Sequence, residues 1–130
     1  KEVDEDEFFS SRETGGTVVS SALELVNEVA RERYPSANWN IYVAQASDGD
    51  CGSDDGLRSA VFARDVLLPL ARFFAYVDIP NAHGLFNRPS DLWQAYETIV
   101  SPAFARRQVH GRSDIWPVFR ELFARREAAA

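Results

Sequence analysis

Apolar residues recur along this chain first at helical spacing and then in short runs. Between positions 17 and 33, Val19, Ala22, Leu23, Val26, Val29 and Ala30 share one side, and Glu24, Asn27, Glu28 and Arg31 take the other. This is the pattern of an amphipathic helix. Pro35 and the polar stretch after it end the helix, and residues 39–46 form a mostly apolar run with several strand formers, which predicts a buried parallel strand. The acidic, glycine-rich loop SDGDCGSDDG follows at 47–56. A second helical pattern then runs from about Leu57 through Ala60, Val61 and Leu68, where Pro69 should kink or end it. Residues 72–79 read as a second strand and 80–89 as a long turn-rich loop. Ser90 suits the N-cap of a helix carrying Leu92, Trp93, Tyr96, Ile99 and Val100, which Pro102 stops. Residues 104–110 make a weaker third strand. Asp114 can cap a last helix with Pro117 in its first turn and Val118, Phe119, Leu122 and Phe123 facing inward.

Strands alternating with helices predict an α/β fold, a parallel-type sheet flanked by helices in a doubly wound, Rossmann-like layout. Such sheets bind ligands beyond the carboxyl ends of their strands. The loop after Ala46 is therefore the first place to look for a site.

Composition narrows the classes. The chain has 130 residues with 45% hydrophobic content, the size of one domain with one core. Cys51 has no second cysteine to pair with, which excludes internal disulfides and cysteine-based zinc frameworks. The formal charge is −6, of which residues 1–7 contribute five carboxylates against one lysine, leaving −2 for the remainder. That balance disfavours nucleic-acid binding, and Arg106, Arg107, Arg112, Arg125 and Arg126 read as solvated helix and strand surface. The tryptophans and phenylalanines read as core and helix-packing residues. Without an apolar span or a basic leader, the expected location is cytoplasmic, and the acidic, aromatic start reads as the interior of a longer gene product.

Two segments carry candidate chemistry: GGT at 15–17, opening the first helix, and ASDGD at 46–50, closing the first strand. A hard divalent cation takes oxygen ligands, which hydroxyls and carboxylates from several loops at one sheet edge can supply, and Thr17 and Asp48 have that chemistry. The bland readings are a helix cap for Thr17 and a turn for residues 47–50, with Asp48 bonding its own backbone. An EF-hand fails because Ser59 stands where the bidentate glutamate belongs, and no motif surrounds Cys51, His83 or His110 to suggest a nucleophile. Asp48-x-Asp50 after a strand also suits a metal- or aspartate-dependent phosphatase or hydrolase, the runner-up function, although Cys51-Gly52 departs from the usual continuation of such enzymes.

Preceded by EFF, the stretch TGGTVVSSALELVNEVARERY with WNIYVAQASDGD, and IWPVFRELF near the end, resembles the bacterial YeaH/YhbH family, proteins with a von Willebrand factor type A-like domain. The resemblance implies a metal-ion-dependent adhesion site holding Mg2+ or Mn2+. Thr17 would match its threonine element, Asp48 its T/S-D-G element, and Asp50 would stand in a second acidic position. None of the ten aspartates is followed by serine two residues later, so the D-x-S-x-S element is absent from this sequence. The family pattern then makes residues 1–130 the C-terminal part of one such domain, lacking its N-terminal strand-helix-strand. Residues 1–16 would be a former edge strand (residues 3–9) and loop, 17–127 the α/β core and 128–130 a frayed tail. The edge left at residues 39–46 would be covered by upstream chain or by a second copy in a homodimer. The implied function is a non-enzymatic protein-interaction module linked to a PrkA-type serine protein kinase in stress or sporulation physiology. A structural fragment with no surviving site is the remaining alternative.

Overall fold

The computed structural model describes residues 1–11, 18–80 and 89–124. Three parallel strands, β1 (Ile41–Ser47), β2 (Ala71–Asp78) and β3 (Phe104–Gln108), lie in the order β1-β2-β3. The helices are α1 (Glu5–Ser10), α2 (Val19–Arg33), α3 (Ser53–Phe62), the short turn α4 (Leu68–Leu70), α5 (Asp91–Tyr96) and α6 (Arg112–Leu122). The chain is thus an α/β protein with a parallel sheet flanked by helices, as the alternation predicts.

Side chains alternate across the sheet, so its two faces serve two cores. On one face Val43, Phe74 and Tyr76 pack with Val19 and Leu23 of α2, Ala60 of α3, and Leu92, Ala95 and Tyr96 of α5. On the other, Ala75, Val77 and Ala105 pack with Val109 and Leu122, the last from α6. This second face is covered over β2 and β3 but not over β1, where Tyr42, Ala44 and Ala46 are exposed. The buried strand expected at 39–46 is therefore an edge strand with one open face, and Trp39 ahead of it is 54% exposed.

Several elements differ from expectation for local reasons. Residues 3–9 form no strand: α1 occupies Glu5–Ser10, because the Asp4 carboxylate accepts the Glu7 N–H at 2.8 Å and Glu5, Asp6 and Glu7 complement the positive end of the helix. The helix after the acidic loop starts at Ser53 and widens into a π-helical turn over Ala63–Leu67 just ahead of Pro69, which has no N–H to give the preceding turn. α5 stops at Tyr96, and Val100 is 94% exposed rather than on an inner face. α6 begins at Arg112, so Pro117 lies inside the helix and Asp114 accepts the His110 N–H at 3.0 Å instead of capping. Leu122 is buried there, whereas Phe119, Phe123 and Trp116 are substantially exposed. Arg106 is also not simple surface: its guanidinium lies 4.1 Å over the Trp93 ring and donates to the Trp93 carbonyl.

Candidate functional site

The carboxyl edge of the sheet gathers the ends of β1 and β2 and the starts of α3 and α5. β1 ends at Ser47, whose hydroxyl accepts the Gly49 N–H at 3.0 Å. Asp48 is exposed, and its Oδ1 accepts the Asp50 N–H at 3.1 Å, which is the turn expected of such an aspartate. Gly49 is buried with φ of 74°, and its carbonyl accepts from Leu92 N–H of α5 at 3.2 Å. A β-carbon on Gly49 would stand 2.1 Å from Ser90 Oγ and 2.7 Å from Asp78 Oδ1. Glycine is demanded here twice over, by backbone conformation and by space.

What Gly49 packs against is a polar knot at the end of β2. Asp78 is fully buried; Oδ1 accepts from the Tyr76 hydroxyl at 2.8 Å and the Ser90 hydroxyl at 2.9 Å, and Oδ2 accepts from Gln108 Nε2 at 3.4 Å. Ser90 Oγ in turn accepts the Trp93 N–H at 3.2 Å, the predicted cap of α5. Burial and the facing Asp78 carboxylate hold the Tyr76 hydroxyl protonated well above the ordinary phenol range. Asp78 thus ties β1, β2, β3 and α5 together beneath the acidic loop. Reading the sequence for loop motifs passes over it, since a lone aspartate ending an apolar run looks like a boundary; its place in the central strand is what makes it a hub.

The start of α2 reaches the same edge. Asp55, in the first turn of α3, accepts the Val19 N–H at 2.7 Å and the Ser20 hydroxyl at 2.5 Å. This cross-helix carboxylate, rather than a residue of α2 itself, satisfies the helix start. Val18 consequently shares a cleft with Cys51, Gly52, Ser53 and Asp55. Thr17, the residue before it, lies outside the described residues, as does His83. Among the described residues no three His, Cys, Asp or Glu side chains come together as a metal-binding group. Asp48 and Asp50 are therefore two exposed carboxylates at the right edge of the sheet, with oxygen chemistry that fits a hard cation and a number that does not complete one. Cys51, beside them, has its thiol pushed up to about 11 by burial and then by Asp55, Asp91 and Asp50, so it stays protonated near neutral pH and lacks the activation of a nucleophile.

A parallel α/β sheet with a pinned acidic loop at its carboxyl edge defines the class of molecule. Comparison with known proteins supplies the family: the model described as "Protein of unknown function (DUF444)" matches residues 1–126, and the chain belongs to that family. It is 52% identical over 130 residues to a UPF0229 protein of Thiobacillus denitrificans, covering 98% of this chain and 30% of that protein. Its identity to the UPF0229 protein of Saccharophagus degradans is 48% over 132 residues, again 98% of this chain and 30% of the relative. For that of Stutzerimonas stutzeri the identity is 50% over 134 residues, with 97% and 29% covered. The chain thus spans under a third of the length of these relatives. No solved structure matches it. Among the described residues no helix is long and apolar enough to cross a membrane.

Proposed function

We infer that this chain is the C-terminal part of a von Willebrand factor type A-like domain and acts as a non-enzymatic protein-interaction module built around a divalent-ion site. The observation that carries the reading is the pinning of the loop at 47–50. Gly49 is wedged against Ser90 and Asp78, with Asp48 exposed at the carboxyl edge of β1, while Asp55 in the first turn of α3 holds the start of α2 at the same rim. Asp48 and Thr17 would hold the ion, Asp50 would stand behind as a second acid, and further oxygen ligands would come from the longer family polypeptide. A bound Mg2+ or Mn2+ would supply an open coordination position to which a partner's carboxylate can bind. The partner implied by the resemblance is a PrkA-type serine protein kinase.

The test is calorimetric titration of a full-length family member with Mn2+, as wild type and with the Asp48→Asn change. Binding in the wild type and its loss in a folded variant is expected. A folded wild type that takes up neither Mn2+ nor Mg2+ removes the ion site. Turnover of a generic phosphate ester that disappears with Asp48→Asn would replace the interaction reading with a hydrolytic one.

A further inference from the structure

α6 holds the sheet with one side and shows aromatic rings on another. Leu122 is buried with Ala75, Val77 and Ala105. Arg112, Trp116, Phe119, Arg120 and Phe123 recur at three- and four-residue steps and so line a second side of the helix and its end. Phe123 meets Phe73 of β2 at 6.4 Å between ring centres and Phe119 at 5.7 Å, and Trp116 beyond them stays 72% exposed. Among the described residues neither Arg112 nor Arg120 has an ion-pair partner, unlike Arg107, which holds Glu121 at 2.8 Å. An exposed aromatic stripe flanked by uncommitted cations is a surface for a partner.

The same chain carries the opposite surface. α1 has no buried residue, and Phe8 and Phe9, edge-on to each other at 5.2 Å, are 69% and 78% exposed. Before them stand Glu5 and Asp6, which among the described residues make no ion pair, whereas Glu2 and Glu7 are held by Arg33 and Lys1. The Asp4 cap keeps α1 helical before any contact is made, which lowers the ordering cost of docking. α1 is thus acidic and aromatic where α6 is basic and aromatic, and the two surfaces complement each other in sign. Within one chain they are held apart. The Glu2–Arg33 pair ties the start of α1 to the end of α2, which packs on the face of the sheet opposite α6.

We propose that α1 of one copy docks on the Trp116, Phe119 and Phe123 side of α6 in a second copy, with Glu5 and Asp6 set against Arg112 and Arg120. A two-fold axis makes the exchange reciprocal, so each dimer contains the contact twice. The contact uses neither the β1 edge nor an ion at the carboxyl edge of the sheet. Charge selects a second copy over an anionic lipid surface or a nucleic acid. Either of those would satisfy α6 alone, and would be repelled by residues 1–7, where five carboxylates stand against one lysine.

Sedimentation velocity on a full-length family member tests this with two variants, one carrying Glu5→Arg with Asp6→Arg and the other Arg112→Glu with Arg120→Glu. The wild type should dimerise at micromolar concentration. Either variant alone sets like charges across both contacts, which should weaken its dimer about a hundredfold or more. Mixed in equal amounts, the two should dimerise again, because the reversed α6 then meets the reversed α1 while the unchanged pair meets as in the wild type. The four substituted side chains are exposed, so both variants should keep the wild-type circular dichroism. If either does not, a peptide of residues 1–11 added to the wild type takes its place and should dissociate the dimer. A wild type that stays monomeric overturns the proposal, as do variants that dimerise unchanged, a mixture that remains monomeric, or a peptide without effect.

Discussion

Gly49 and Asp78 decide whether the acidic loop is held. Gly49 combines a left-handed φ of 74° with a β-carbon position 2.1 Å from Ser90 Oγ, so Gly49→Ala would impose both backbone strain and a collision with the cap of α5. Loss of about 2–4 kcal/mol of stability is expected, measured by denaturant unfolding. Gly52, with φ of 80° and ψ of 151°, lies in a region that only glycine adopts readily, but has nothing within 4 Å of its β-carbon position, so alanine there would meet backbone strain and no collision. A Gly49→Ala loss of no more than about 1 kcal/mol, the backbone share alone, would show that the Gly49–Ser90–Asp78 contact contributes nothing. The sequence made the loop legible through its glycines and aspartates, because turn chemistry is local. Asp78 was not legible, because its role comes from three partners, Tyr76, Ser90 and Gln108, that only the folded chain brings together.

Among elements, α2 and α5 follow from pattern and cap, and their agreement with the sequence has a cause: the 3.6-residue spacing of α2 and the Ser90 hydroxyl of α5 are local signals. The elements that departed did so where a second local signal or a distant partner intervened. Asp4 and the acids behind it convert an aromatic segment expected as strand into α1. Gly111, in extended backbone, lets α6 start ahead of Asp114 and so traps Pro117 inside it. The start of α2 shows the distant case, since its acceptor, Asp55, is 36 residues away along the chain. Asp55→Ala should therefore cost about 1–2 kcal/mol, as loss of an N-cap does, with the loss concentrated in faster amide exchange at the first turn of α2. An unchanged exchange rate at Val19 and Ser20 would mean that the Asp55 contacts do not hold that helix start in solution.

At the scale of the whole molecule, the sheet brings its chemistry to one rim and leaves its apolar surplus along one side. The rim carries Asp48 and Asp50; the side carries β1 and the outer stripe of α2. The parallel pairing was legible from alternation of elements, whereas the openness of β1 was implied by the family resemblance and not by the residues themselves, because an apolar run reads the same whether its neighbour is present or lies elsewhere in a longer polypeptide. The central functional claim is that the start of α2 and the loop after β1 face a common ion. Paramagnetic broadening of amide signals by Mn2+ in a full-length family member measures that directly. Simultaneous broadening at Val18–Ser20 and at Asp48–Gly52, both lost with Asp48→Asn, is the predicted result; broadening confined to the acidic segment around Asp4–Glu7, with both regions at the rim unaffected, would contradict it.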